Sequence, residues 1–369
     1  MLNRRNFLKQ AAIAGGALLA APMVNRGHYA LFGGTRRYSK RTIELIEESV
    51  VMDMLGLLTL DWPKLSRWVN LPGAFNEAEY RKLLSSGITV FHPAVDLNVS
   101  EPEQAFVATR DWFQSWNEFL SNYPQQLIRI DSTEDVLRAK RERRIGVILG
   151  FQNAAHFRTV DDVCTFYQMG QRISQLTYNE PNRIGTGCVS QRDTGLTEYG
   201  AQVIRAMNET GMAVDLSHSS DCTCEDAIEV SRKPVLITHA NCKALNPGHP
   251  RCKPDRIIRK MAATGGVMGI TSIRRFVRGQ EPTTIEDVLD HFDHVAKLVG
   301  VEHLGLGSDN DLDGRDRKGT RRRMDVSGLN HPQRVYDLTE GLIRRRYTNR
   351  SIRMILGGSF LRALREIWG

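Results

Sequence analysis

Eight short apolar runs, set between longer stretches of helical periodicity, restrict the fold of this chain more than any other feature. They are Val50–Met54, Gly87–His92, Gly146–Gln152, Ile173–Tyr178, Met212–His218, Val235–His239, Gly265–Thr271 and His303–Asp309. Each has the length and the bounding residues of a buried strand. Helical patterns intervene, for instance at Glu198–Thr210 and Ile285–Val299, and a last helix is predicted from about Ser351 to Ile367. Eight strands alternating with helices predict an α/β chain folded as one (β/α)8 TIM-type barrel over residues 40–369, with a doubly wound sheet as the weaker alternative. The stretch Asp96–Asp131, with Trp112 and Trp116, reads as a helical insertion (about 97–131) between the second and third strands.

The chemistry concentrates in Gly211–Asn241. Two of the apolar runs there end in His218 and His239, and between them Asp221 is placed to cap a helix that stops before Pro234. In a parallel strand–helix–strand unit both strands point the same way. The two imidazoles therefore emerge at one edge of the sheet, where a metal or ligand can sit between them.

The first residues, Asn3-Arg4-Arg5-Asn6-Phe7-Leu8-Lys9 followed by an apolar, small-residue segment from Ala11 to Ala21, resemble a twin-arginine export signal (residues 1–21) and are too short for a membrane span. The expectation is a chain handled by the twin-arginine export machinery and delivered to the periplasm, cleaved near Ala20 or Ala21, or tethered to the membrane if the signal is kept. Loss of Arg4, Arg5 and Lys9 lowers the formal net charge from +8 by three, to +5. The remaining basic clusters, Arg315–Arg323 and Arg344–Arg346, lack interleaved aromatics, so they read as solvated faces and not as a nucleic-acid groove. Six cysteines, at 164, 188, 222, 224, 242 and 252, are too few and too scattered for a disulfide scaffold in a chain this long, and packing is their expected use.

In a barrel, residues at the C-terminal strand ends face one mouth. Those are His92, Gln152, Tyr178, His218, His239 and Asp309. Two imidazoles, an amide oxygen and a carboxylate suit zinc or a similar divalent ion, with Asp309 as ligand or as general base toward a water. Gly307–Gly314 is rich in Asp and Asn, but it follows a strand and lacks the closing carboxylate of an EF-hand calcium loop. His92 stays open as a further ligand or a packed core histidine.

The sequence resembles the membrane dipeptidase (renal dipeptidase) family of zinc barrels from about Arg41 onward. The resemblance is carried by Asp215-Leu216-Ser217-His218, by Thr238-His239 with Arg251 and Pro254-Asp255 downstream, by Gly195-Leu196-Thr197-Glu198-Tyr199-Gly200, by Gly307-Ser308-Asp309, and by Leu356-Gly357-Gly358-Ser359-Phe360-Leu361-Arg362. It implies that His218 and His239 hold a zinc, that Arg251 binds the substrate carboxylate, and that Asp309 moves protons. It also implies departures. The family's first-strand His-x-Asp metal pair falls on Leu55 and Leu57, its bridging glutamate on Gln152, and a histidine that steadies the tetrahedral intermediate on Tyr178. The expectation is therefore a divergent member with one ion at most, with Gln152 a weak third ligand and the Tyr178 hydroxyl a donor to the oxyanion. Two functions remain: a metal-dependent hydrolase of a dipeptide or related amide, or a dipeptidase-like binding or maturation protein. Substrate side chains and a homo-oligomeric state stay open.

Overall fold

The computed structural model of the chain describes residues 27–31, 36–314 and 324–369. Residues 1–21, expected to form an export signal, and the basic run Arg315–Arg323 lie outside them. The predicted strands appear in order: β1 (Met52–Asp53), β2 (Val90–Phe91), β3 (Ile145–Val147) continuing as β4 (Leu149–Phe151), β5 (Gln171–Gln175), β6 (Ala213–Asp215), β7 (Leu236–Cys242), β8 (Val267–Ile270) and β9 (Leu304–Leu306). Every pairing between them is parallel, as crossover helices require. Residue Leu306 of β9 pairs with Asp53 of β1. At the other end of the order β3 pairs with β2 and β4 with β5, while the N–H of Ile148 between them donates to Phe91 O at 2.9 Å. One run interrupted at a single residue thus joins both ends of the ladder. The sheet closes on itself as an eight-stranded barrel, which excludes the doubly wound alternative.

Around it lie α1 (Trp62–Asn70), α2 (Pro102–Asn122), α3 (Glu198–Thr210), α4 (Asp221–Val230), α5 (Asp255–Ala263), α6 (Ile285–Val299), α7 (Arg334–Arg344) and α8 (Ser359–Trp368), among others. The cap of α4 is Ser220, not Asp221: its side chain accepts the N–H of Thr223. Between β2 and β3 come the long helix α2, a short strand, Leu127–Arg129, which pairs with β3, and a further helix, Thr133–Glu142. The predicted last helix is broken. A short helix, Asn349–Arg353, passes through a π turn at Met354–Gly358 into α8. Gly357 is needed at that turn because a Cβ there would stand 2.3 Å from Val50 O.

Phe360, Ala363, Leu364 and Ile367 of α8 cluster with Met52, Val90, Ile173, Ala213, Leu236 and Val267, residues of six strands and, in all but Ile173, the first of the strand. The final helix therefore seals the N-terminal end of the barrel and leaves the C-terminal mouth as the open face. Of the C-terminal basic cluster, Arg345 donates to Glu286, Asp290 and Asp293 of α6, so it fastens α7 to α6. All six cysteines are unpaired; Cys224, Cys242 and Cys252 are buried and serve as packing. Among the described residues no helix is long and apolar enough to cross a membrane.

Candidate active site

Asp215 organises the two histidine-bearing strand ends. A carboxylate with no solvent exposure needs partners for its lone pairs, and this one has four donors. Its Oδ1 accepts from Ser217 N–H (3.0 Å), Ser217 O–H (2.5 Å) and Thr238 N–H (3.0 Å), and its Oδ2 from Thr238 O–H (2.5 Å). Ser217 and Thr238 immediately precede His218 and His239. The N–H of His239 also donates to Ser217 Oγ, at 3.1 Å. The β6 and β7 ends are thereby locked together beneath the imidazoles.

These bonds fix the tautomers. The Thr238 hydroxyl has one proton, and Asp215 takes it, so at its 2.9 Å contact with His239 Nδ1 the hydroxyl oxygen must accept. His239 therefore carries its proton on Nδ1. His218 Nδ1 likewise donates to Asn179 Oδ1 at 2.8 Å. Burial first, then the charges of Arg251, His239 and Lys253, holds His218 well below the usual histidine pKa, so it is neutral. The two Nε2 atoms, each with a lone pair, face one another at 3.0 Å. Two acceptors at that separation repel unless a cation lies between or beside them. Nδ1 bonded to a neighbour with Nε2 left available is also how metal-binding histidines are commonly held.

The mouth above is a cavity of about 940 Å³ whose lining includes Gln152, Tyr178, His218, Arg251 and Asp309. Tyr178 stacks on His218, with ring centroids 4.4 Å apart. Arg251 is buried, its Nη1 donating to Ser217 O and its Nη2 to His239 O at 3.2 Å, while Nε has no partner among the described residues. Asp309 takes the left-handed conformation (φ 56°), uncommon for a non-glycine residue, and its N–H donates to Leu55 O at 2.8 Å. The flanking chain is clamped. Ser308 donates through N and Oγ to the buried Asp53 (2.7 and 2.6 Å), and Arg334 of α7 donates to Asp311 O at 2.9 Å.

His92 is not at the mouth. Its Nδ1 donates to Met54 O at 2.7 Å, and its ring lies in the interior so close to Gly150 that a Cβ there would stand 2.0 Å from Nε2. Leu55 is fully buried and Leu57 lines the cavity, so neither first-strand position offers a ligand. Among the described residues no three His, Cys, Asp or Glu side chains converge on a metal position. The donors present fit one ion held by two nitrogens, which is half of a tetrahedral zinc shell, and do not fit a two-metal centre.

Asn179, Ser217, Thr238 and Asp215 are the residues that sequence reasoning left outside the site. Polar side chains inside apolar strand runs were the available signal for the last three, since buried polar groups must be paired. Asn179 had none beyond asparagine's tolerance of positive φ, here 61°.

The parallel barrel gathers His218, Arg251 and Asp309 around the cavity at its C-terminal mouth, with His239 fully buried against His218, which is the end where barrel enzymes carry their active sites. The family model for membrane dipeptidase (peptidase family M19) matches residues 40–368. The chain belongs to that family, whose members are metallopeptidases, and by that membership it is a dipeptidase-like hydrolase. It is 29% identical over 279 residues to dipeptidase verJ of Clonostachys rogersoniana, covering 75% of this chain and 69% of the relative. It is 33% identical over 252 residues to an uncharacterized dipeptidase of Schizosaccharomyces pombe, covering 66% of this chain and 58% of that one. Among solved structures, an amidohydrolase from Pseudomonas aeruginosa superposes with a TM-score of 0.77 at 28% identity, covering 89% of this chain and 99% of that structure.

Proposed function

We propose that the protein is an exported hydrolase that cleaves a dipeptide or a related small amide, working with one divalent ion, zinc or a similar metal. The observation that carries this reading is the pair of Nε2 lone pairs converging at 3.0 Å beside a cavity that also holds Arg251 and Asp309. His218 and His239 would hold the ion, with the neutral amide oxygen of Gln152 a weaker neighbour. When bound, such an ion supplies Lewis acidity and lowers the pKa of a water toward ~7.

The rest falls to the chain's own side chains. Arg251, which lines the cavity with its two Nη atoms anchored to backbone carbonyls, has its remaining Nη protons to receive a substrate carboxylate. Asp309 accepts the proton of the attacking water and returns it to the leaving amine. Tyr178, held against His218, donates its hydroxyl to the oxygen that gains charge. Arg4-Arg5 and the apolar segment after them support twin-arginine export to the periplasm; Arg4→Lys with Arg5→Lys should leave the protein in the cytoplasmic fraction.

One observation favours a second reading. Leucines occupy both first-strand ligand positions and, among the described residues, no acidic side chain joins the two imidazoles, as expected of a binding or maturation protein that has kept the pocket and lost the reaction. Elemental analysis of protein exported and purified without added metal or chelator separates the two. The hydrolase requires about one equivalent of a divalent ion, and dipeptide cleavage that disappears in the folded His218→Ala, His239→Ala variant. Protein that holds no metal and takes none up fits only the binding role.

A further inference from the structure

One wall of the mouth differs in character from the rest. Leu57, Leu60 and Trp62 lie along the connection that runs from β1, through the two-residue strand Gly56–Leu57, to the first residue of α1, and all three line the cavity. Leu57 is 4% exposed, whereas Trp62 leaves 49% of its surface in solvent. That ring is braced edge-on against Trp112 of α2, with centroids 5.9 Å apart. A tryptophan held open at a cavity rim offers an apolar platform at little further entropic cost.

The placement of this wall matters. Asn310 and Asp311, just after Asp309, pair with Gly56 and Leu57, so the wall adjoins Asp309. Arg251 stands on the other side of the mouth, tied to the β6 and β7 ends through Ser217 and His239, with β8 and β9 intervening in barrel order. A ligand whose carboxylate rests on Arg251 and which reaches past Asp309 therefore ends on Leu57, Leu60 and Trp62. The cavity of about 940 Å³ is near the top of the range that encloses drug-sized ligands, roughly 300–1,000 Å³, and two small residues would leave most of it to water.

We infer that the ligands of this protein carry a bulky apolar group at the end remote from their carboxylate, and that this group seats on Leu57, Leu60 and Trp62. An aromatic amino-terminal side chain and an aromatic acyl cap share that chemistry. The inference rests on the proposed carboxylate seat at Arg251 and does not require hydrolysis.

The test is equilibrium binding by calorimetry to the protein as purified. N-benzoylglycine is compared with N-acetylglycine, which share the carboxylate and differ in the apolar cap, and Phe-Ala is compared with Ala-Ala for the side-chain source. The apolar member of at least one pair should bind about tenfold tighter or more, and the pair that shows it identifies the source. Trp62→Ala should remove that advantage and Trp62→Phe should keep most of it, with thermal unfolding confirming that both variants are folded. Equal affinities within both pairs overturn the inference, as does an advantage that survives Trp62→Ala combined with Leu60→Ser, or a failure of all four probes to bind. An apolar preference without cleavage of any dipeptide would leave this seat standing and remove the hydrolase reading alone.

Discussion

Replacing Asp215 with asparagine should weaken the proposed metal seat without touching either histidine. The carboxylate takes three protons on Oδ1 and the Thr238 hydroxyl proton on Oδ2. An asparagine keeps the three by holding its oxygen where Oδ1 was, which turns its NH2 toward Thr238 Oγ1. That oxygen then accepts from the amide, and its own proton is released to His239 Nδ1, 2.9 Å away. The imidazole answers by moving its proton to Nε2, which donates across the 3.0 Å gap to His218. The lone pair that would meet an ion is now occupied. Exchanging charge-assisted bonds for neutral ones costs about 1 kcal/mol each, and the relief of burying no charge offsets part of it. A net loss of about 1–3 kcal/mol leaves a domain of ordinary stability folded. Outer-sphere changes of this kind cost about 10–100-fold in metal affinity, or about 1.4–2.7 kcal/mol. Chelator-competition titration reads the affinity, and nitrogen-resolved NMR of the histidines reads the tautomer with no metal present. The reasoning is wrong if His239 keeps its proton on Nδ1 in the variant, or if the affinity stays within about twofold of the wild type.

Three further outcomes follow from the same structure. Gln152→Glu should raise metal affinity by about tenfold, measured by the same titration; no change would take Gln152 away from the ion. His156 is fully buried and its pKa is pushed down to about 3 by desolvation, so the unfolded chain binds a proton near pH 6.5 that the folded chain refuses. Stability is therefore present above that pH and lost as the pH falls toward 3. His156 alone should cost about 2 kcal/mol between pH 7 and pH 5, and urea melts of His156→Phe should show a correspondingly shallower loss. Gly150→Ala drives a Cβ into His92 Nε2 and should destabilise by about 1–3 kcal/mol, while the double variant with His92→Ala should be more stable than the two single losses sum to. Additive losses in that cycle would show that the two residues do not press on each other.

Much of the barrel was legible because strands buried on both faces are short apolar runs whose ends carry polar residues. The runs ending in His218 and His239 became β6 and β7 for that reason, and the helix predicted at Glu198–Thr210 has those bounds. What the pattern could not reveal depends on contacts made across the chain. Leu127–Arg129 is a strand only because β3 offers it a partner. His92 and Gln152 look alike as strand-end polar residues, yet one is held in the interior by Met54 O and the other lines the cavity. The tautomers of His218 and His239 depend on where Asn179 and Asp215 place their oxygens, which is geometry and not composition.

The seal made by α8 sets an order of events in synthesis. Phe360, Leu364 and Ile367 follow every strand in chain order, and until they are made the layer of Met52, Val90, Ile173, Ala213, Leu236 and Val267 has no floor. The bond between Ser308 and Asp53 joins residues 255 positions apart and also waits for the late part of the chain. An emerging polypeptide can hold helices and a curved sheet, but it cannot hold a closed barrel. Completion is a single late event, and a truncation that removes α8 should yield an aggregating chain in place of a weaker enzyme.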